Sequence, residues 1–285
     1  MTTTQALTHD QLQQLRQLLE ERCGIRLGDA GHRLIEEGVV RLMLKLGATS
    51  FDEFFVRATD TRSGIRDQLA NAMISRETQW FRDPTCFQAI GKDALPRLEE
   101  DLQCGRADKL RIWSAGCSTG QEPYSVVMTI LDRCGNGSTA QAVPSHYEIV
   151  ATDISPAALF LAVAGRYDPR AMESGLPDPY QTHFFTRDGF VCSLNDSVRK
   201  SVRFRQRNLL DPSEGLASGR FHIVLMRYVL EYYSPAMQSR LLERVAESMV
   251  PEGLLFLGTE ETLPENDWFE ITTAAGCPCH RRHQS

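Results

Sequence analysis

Between Lys109 and Cys134 the chain passes from a short apolar run, KLRIWSAG, into an apolar-periodic one, EPYSVVMTILDRC, through a turn holding Gly116 and Gly120. The first run reads as a buried strand ending in glycine, and the period of the second reads as a helix. The same unit returns further on. HYEIVATDIS leads into PAALFLAVAG, FHIVLMRYV leads into PAMQSRLLERVAESMV, and GLLFLGT closes the series as one more strand. Strands alternating with helices imply a parallel, doubly wound sheet. This feature predicts an α/β fold and places any ligand in the crevice at the carboxyl ends of the strands.

The first 75 or so residues lack any strand pattern and read as a small helical bundle. Thr8 and Gln11 fit a capping box before LQQLRQLLEERC. A second helix runs through RLIEEGVVRLMLKLG and stops at Gly47. Ser50 and Glu53 fit another capping box, opening SFDEFFVRA, and IRDQLANAM reads as a further helix. Asp83-Pro84 opens a connecting helix toward residue 99, with Asp83 as N-cap and proline in the first turn. Between Gly165 and Asn208 the βα rhythm breaks, and FVCSL and SVRFRQRN read as short strands of a β insertion. The expected organisation is therefore a helical domain over 1–75, a linker with its helix over 76–98, and an α/β domain over 99–285 with an insertion at about 166–207.

Composition narrows the function classes. The 285 residues carry a net charge of −6, which argues against a general nucleic-acid binder. No run approaches the ~20 apolar residues that span a bilayer. The N-terminus has neither a basic start nor an apolar core, so it is not a signal peptide, and a cytosolic protein without direct membrane insertion is expected. The eight cysteines are scattered and expected to be reduced. The one cluster, Cys277-Pro-Cys279-His280, lacks a second ligand pair at zinc-finger spacing, so no metal is expected.

The loop Ser114-Ala-Gly116-Cys117-Ser118-Thr119-Gly120-Gln-Glu122 carries the strongest chemical signal. Glycines there let the backbone turn sharply and approach a ligand closely. The pattern is neither GxGxxG nor a Walker loop, since no lysine follows Gly120. Asp153 ends the next strand, where a carboxylate can accept from both ribose hydroxyls. Its other reading is the N-cap of the following helix, a role Ser155 could also fill. A glycine-rich first turn and an acidic second strand end, without a phosphate cradle, suit S-adenosylmethionine. The missing GxGxxG disfavours an NAD-dependent oxidoreductase.

Three segments then carry a resemblance to the chemotaxis receptor methyltransferases, the CheR family, over nearly the whole chain. ISRETQWFRDP (74–84) resembles the family's T-x-N-x-T-x-F-F-R segment. RIWSAGCSTGQEPYSVVM (111–128) resembles its W-S-A-x-x-S-T-G-x-E-P-Y-S signature. ATDIS (151–155) and MRYVLEYY (226–233) resemble its second strand and its R-N-V-x-I-Y-F segment. The resemblance implies a helical N-terminal domain, then a Rossmann-like S-adenosylmethionine-dependent methyltransferase domain with a small β subdomain. It implies esterification of glutamate side chains on the cytoplasmic helical region of a chemoreceptor, with S-adenosylhomocysteine as product.

The resemblance also implies roles. Thr78 and Arg82 would face the cofactor's carboxylate end or the reacting carboxylate, and Gly116 would lie against the cofactor. Glu122 would bind the methionine amino group and Asp153 the ribose. Asn208 and Leu209 would flank the adenine, while Val229 and Tyr232 would line the pocket near the transferred methyl. Arg82 and Tyr232 are the expected catalytic residues. The closing CPCHRR resembles the family's last strand. Two positions depart from the pattern: Arg76 and Tyr228 stand where the family has asparagines that touch the cofactor. Tyr228 could stack on the adenine, and Arg76 could turn toward the cofactor's carboxylate. Glu231 stands where an apolar residue is usual, and the second helix mixes Arg33, Arg41 and Lys45 with Glu36 and Glu37. These departures motivate two further readings: a divergent receptor partner of a pilus-type array, and an adaptor that has lost catalysis. A methyltransferase acting on a small molecule is disfavoured, because the resemblance extends through the helical domain. The turn in TRDGFVC is short, and no tethering to a receptor C-terminal peptide is expected.

Overall fold

The computed structural model of the chain describes residues 7–24, 32–60, 65, 68–69, 78–135, 143–210 and 219–284, the side chains of 21–23 and 32–35 excepted. The chain divides into two compact units, Met1–Ser75 with Glu231–Gln238, and Arg76–Leu230 with Ser239–Ser285. Residues 76–98 thus fall in the second unit.

The first unit contains α1 (His9–Cys23), α2 (His32–Leu46) and α3 (Phe51–Thr59). Both halves of the Thr8–Gln11 capping box form, and Gly24 ends α1 in the left-handed conformation. Gly47, also left-handed at φ 64°, follows α2. At α3 only half of the expected box is made. Ser50 accepts from the Glu53 amide at 3.2 Å, but the Glu53 carboxylate goes to the amide and hydroxyl of Thr49 instead. Leu15, Leu19, Val39, Phe54 and Ala58 are buried. Of the helix expected in IRDQLANAM, 65 and 68–69 are helical and the rest lies outside the described residues.

The second unit is built on a seven-stranded sheet. Its strands are β1 (Leu110–Ala115), β2 (Tyr147–Asp153), β6 (Val202–Gln206), β7 (Phe221–Leu225), β8 (Met249–Phe256), β9 (Phe269–Ala274) and β10 (Cys277–Arg282). They run in the order β6-β2-β1-β7-β8-β10-β9. The pairs β1–β2, β1–β7, β2–β6 and β7–β8 are parallel, and β10 lies antiparallel between β8 and β9. This is the doubly wound sheet that the βα rhythm predicts. The order reverses between β1 and β7, which opens a crevice at their carboxyl ends. All six residues of β1 are buried, as a strand covered on both faces requires. Helix α6 (Gln121–Arg133) follows β1, α7 (Pro156–Ala164) follows β2, and α11 (Pro235–Ser248) precedes β8.

Three expectations are corrected. SVRFRQ does not belong to the insertion. It forms β6, the edge of the main sheet, parallel to β2 with Asp153 opposite Gln206. The insertion proper is a three-stranded antiparallel sheet of β3 (Arg166–Tyr167), β4 (Phe185–Asp188) and β5 (Val191–Leu194), with short helices α8 (Pro169–Glu173) and α9 (Asp178–Phe184) before it closes and α10 (Asp196–Arg199) after it. The connecting helix is longer than expected. It is α4 (Pro84–Ala89), a π-helical turn (Ile90–Ala94) and α5 (Leu95–Gln103) in succession. Finally, Asp83 occupies the N-cap position of α4 without capping it, because its carboxylate is drawn elsewhere. CPCHRR forms β10, as the resemblance implies, with Cys279 fully buried in the core.

Among the described residues no helix is long and apolar enough to cross a membrane, and no group of His, Cys, Asp and Glu could hold a metal ion.

Candidate active site

Backbone strain marks the site first. Six described residues other than glycine have positive φ, and four of them are Phe81, Asp83, Ser118 and Tyr228. They sit in the segment before α4, the turn after β1 and the turn after β7. A left-handed residue with a side chain costs roughly 1–2 kcal/mol, so it persists only where the surroundings over-determine it. Three loops held this way converge on one crevice.

The turn after β1 is held by the neighbouring strand. The amides of Gly116 and Cys117 both donate to the Thr152 carbonyl, at 2.8 and 2.9 Å. The Asp153 carboxylate accepts from the Ser118 amide on one oxygen and the Ser155 amide on the other, each at 2.8 Å. Ser155, not Asp153, caps α7, its hydroxyl accepting from the Ala158 amide. That leaves Asp153 half-buried at the lip of the crevice, able to receive hydroxyl donors. Gly116, at φ 82°, would carry a side chain only at a cost in strain, because a Cβ there would lie 2.7 Å from a Val229 methyl. The turns after β1 and β7 therefore approach to van der Waals contact at Gly116 and Val229. Cys117 is no nucleophile, since burial pushes its thiol pKa well up.

Arg227 joins this turn to the segment before α4. Its side chain is only 2% exposed. It donates to Glu122 at 3.2 Å, to Asp83 at 2.6 Å and to the backbone carbonyl of Arg82. Burial opposes its charge, but Glu122 and Asp83 beside it hold its pKa above the ordinary arginine value. Glu122 also accepts from Ser114 at 2.6 Å. Burial raises the Glu122 pKa against the pull of Arg227 and Ser114. Asp83 is the opposite case. Burial works to raise its pKa, and the Tyr228 hydroxyl and Arg227 outweigh it, so the net shift is downward.

Glu261 builds the turn after β7. Its carboxylate accepts the amides of Tyr228, Val229, Leu230 and Gly258. Four backbone donors on one carboxylate satisfy a loop that could not otherwise fold back on itself. Tyr228 then donates its hydroxyl to Asp83 at 2.6 Å and lays its ring under the Arg82 guanidinium, 3.3 Å from Cζ to centroid.

The segment before α4 is anchored on its other side by the insertion. Trp80, 1% exposed, packs edge-on to Tyr167 and Phe185, and its amide donates to Ser174. Phe81 donates its amide to Ser125 on α6 and packs against Phe87 and Tyr180.

Of the residues the sequence singles out, Arg82, Gly116, Glu122, Tyr228 and Val229 are linked by these contacts, and Asp153 joins them through Ser118. Asn208 and Leu209 follow β6 after Arg207, at the carboxyl edge next to Asp153, with Asn208 capping its own turn through the Leu210 amide. Thr78 is half-buried two residues before Trp80. Tyr232 lies in the 3-10 turn Leu230–Tyr232, within a segment that groups with the first unit. Arg76 lies outside the described residues. Tyr228 does not act as the free stacking surface expected for an adenine, because its hydroxyl goes to Asp83 and Arg82 covers its ring. The sequence reading missed Asp83 as a partner of Arg227, Arg227 itself, and Glu261. An arginine at the end of the apolar run FHIVLMR was the available signal, since a buried charge must be paired.

The residues fit S-adenosylmethionine on the chemistry of the donor set. A carboxylate at Glu122, its side chain 13% exposed, suits an ammonium, the half-buried one at Asp153 suits a ribose diol, and the Ser118 hydroxyl is buried with no protein partner. No lysine or arginine cradle for a phosphate is present in the turn after β1.

Comparison with known proteins agrees with this reading. Residues 76–276 match the family described as CheR methyltransferase, SAM binding domain. The chain is 38% identical over 249 residues to chemotaxis protein methyltransferase 1 of Pseudomonas aeruginosa, covering 87% of this chain and 88% of that one. It is 36% identical over 255 residues to chemotaxis protein methyltransferase Cher2 of Pseudomonas putida, covering 88% and 90%. It is also 34% identical to the probable biofilm formation methyltransferase WspC of Pseudomonas aeruginosa, covering 86% of this chain but 55% of that one. Strand order, strained loops and acidic pair thus meet a match that runs through most of the chain, and the chain belongs to the CheR family of S-adenosylmethionine-dependent methyltransferases.

Proposed function

We propose that the chain transfers the methyl group of S-adenosylmethionine to glutamate side chains on the cytoplasmic helical region of a chemoreceptor, forming glutamyl methyl esters. The observation that carries this reading is the Arg82 guanidinium. It is half-buried beside the crevice, and among the described residues no carboxylate pairs with it. The obvious candidate, Asp83, is occupied by Arg227 and Tyr228. A cation held in this way calls for an anion from outside, and a glutamate carboxylate supplies one. The names of the relatives point to the same class of substrate.

When bound, S-adenosylmethionine supplies a methyl group on a cationic sulfur. Glu122 and Asp153 hold its amino and ribose ends, with Asn208 and Leu209 at the adenine end and Val229 beside Gly116. Thr78 adds to the lining in this reading. Glutamate is ionised near neutrality, with a pKa of about 4.3, so the protein needs no general base. What it supplies is alignment: Arg82 holds one carboxylate oxygen while the other faces the methyl.

The test is transfer of a tritiated methyl group to receptor cytoplasmic fragments, read as methanol released when base hydrolyses the ester. The unmodified protein labels the fragment. Arg82→Ala loses about a hundredfold or more in turnover, while S-adenosylhomocysteine affinity falls only a few-fold. Near-normal turnover in that variant removes the role of Arg82. Absence of labelling in the unmodified protein removes the substrate reading and favours an adaptor.

A further inference from the structure

We infer that Tyr228 is a positioning residue for Arg82, fixing its guanidinium and keeping its charge uncommitted until a substrate carboxylate arrives. This rests on the reading that Arg82 receives that carboxylate. The family pattern has an asparagine at this position, so the device belongs to this chain's own sequence.

Four observations carry it. First, the Arg82 guanidinium lies 3.3 Å over the Tyr228 ring, a stacking contact that leaves the in-plane N–H donors pointing outward. Second, one oxygen of the adjacent Asp83 carboxylate accepts from the Tyr228 hydroxyl, from Arg227 and at 3.4 Å from the Thr259 amide. Tyr228 therefore removes the competing anion with its hydroxyl and offers a neutral surface with its ring. Third, the tyrosine has one place to be. Glu261 fixes its amide and those of Val229 and Leu230, and the Gly258 backbone abuts the ring so closely that a Cβ there would fall 2.8 Å from it. Fourth, the other end of Arg82 is fixed as well, since Arg227 holds its carbonyl. An asparagine has no aromatic face and could not support the guanidinium. A leucine would also leave Asp83 with one donor fewer, so Asp83 would draw Arg82 into an internal ion pair.

The experiment uses Tyr228→Phe, Tyr228→Leu and Gly258→Ala in the full chain. It reads receptor turnover, S-adenosylhomocysteine affinity by calorimetry, melting temperature and the Arg82 Nε–H resonance in arginine-labelled protein. The ring shifts that resonance in the unmodified protein, whether or not a receptor is present. Tyr228→Phe keeps the shift but leaves Asp83 one donor fewer, so its turnover falls a few-fold, between that of the unmodified protein and that of Tyr228→Leu. Tyr228→Leu loses the shift and about tenfold in kcat, with product affinity changed less than about twofold. Gly258→Ala displaces the ring and follows Tyr228→Leu, which covers the case in which the leucine variant fails to fold. Unchanged kcat in Tyr228→Leu overturns the inference. So does a loss of product affinity as large as the loss of turnover, which would make Tyr228 a cofactor contact. If the unmodified protein labels no receptor fragment, the substrate reading fails and this inference falls with it, a result separate from either of the others.

Discussion

The turn from Ser114 to Glu122 and the segment from Phe81 to Asp83 meet at Arg227, yet they are held by different means. The first is held by backbone: Thr152 takes two of its amides, Asp153 takes a third, and Gly116 supplies the close approach. The second is held by side chains from far along the chain. Arg227 and Tyr228 lie 144 and 145 positions from Asp83, and Glu261 holds Tyr228 in turn. A backbone-built cradle can change its ligand contacts without endangering the fold. A lattice of buried charges cannot, because each partner removed leaves another uncompensated. Ligand holding and fold integrity are thus separable in the first region and fused in the second.

The largest effect expected follows from this. Arg227→Met keeps the volume and removes the charge, stranding Glu122 and Asp83 together. Breaking a buried pair costs about 3–5 kcal/mol. In a unit of this size that is a fall in melting temperature of roughly 6–20 °C. Calorimetric unfolding checks it, and a fall of less than a degree or two would show that the lattice is not structural. The double variant Arg227→Met with Glu122→Gln sharpens the point. It removes one stranded carboxylate and should recover part of the loss while leaving product binding poor.

The difference between the regions also explains what could be read from sequence. Gly116, Glu122 and Asp153 lie within one strand–turn–helix period or at the end of the next strand, so local pattern places them. The parallel, doubly wound class of the sheet follows from the same rhythm. The lattice has no local pattern. Asp83 before Pro84 fits an N-cap by every local criterion, and only Arg227, brought near by the fold, outcompetes the helix amides for it. Glu53 fails its capping box for a local reason, drawn off by Thr49 just before the helix. SVRFRQ shows a strand's composition but carries nothing that says which strand it will pair with, and the parallel partner is β2. Glu261 stands in a loop, and its role exists only once β7 and β8 lie side by side.

A smaller effect tests the cradle. Gly116→Ala places a methyl 2.7 Å from Val229 at φ 82°. The strain is roughly 1–2 kcal/mol, and pushing Val229 aside narrows the crevice. Product affinity should fall about tenfold to thirtyfold, with a smaller melting shift than Arg227→Met gives. Adding Val229→Ala restores room and should recover most of the affinity. No recovery would mean that the strain, and not the crevice, governs binding, and the distinction between the two regions would weaken.

The smallest effect separates the two carboxylates on Arg227 by the sign of their pH dependence. Glu122 has a folded pKa raised above its unfolded value, chiefly by burial. Its contribution to stability is fully present below the unfolded pKa and is lost as pH rises through the folded one. Asp83 has a folded pKa below its unfolded value, because the Tyr228 hydroxyl and Arg227 outweigh burial. Its contribution is present above the unfolded pKa and is lost as pH falls through the folded one. For binding, only Glu122 matters directly. As pH falls, its buried carboxylate takes a proton before an ordinary glutamate of pKa about 4.3 would. Its hold on the product's ammonium then weakens, by up to about tenfold per pH unit below the titration. Titrations of S-adenosylhomocysteine as pH is lowered from neutrality toward the ordinary glutamate range should show affinity declining in the unmodified protein and flat, lower affinity in Glu122→Gln. Asp83→Asn should leave that pH dependence in place and instead remove the acid-side loss of stability. If Asp83→Asn flattened the binding profile too, the two carboxylates would titrate as one unit through Arg227, and the cradle would be part of the lattice.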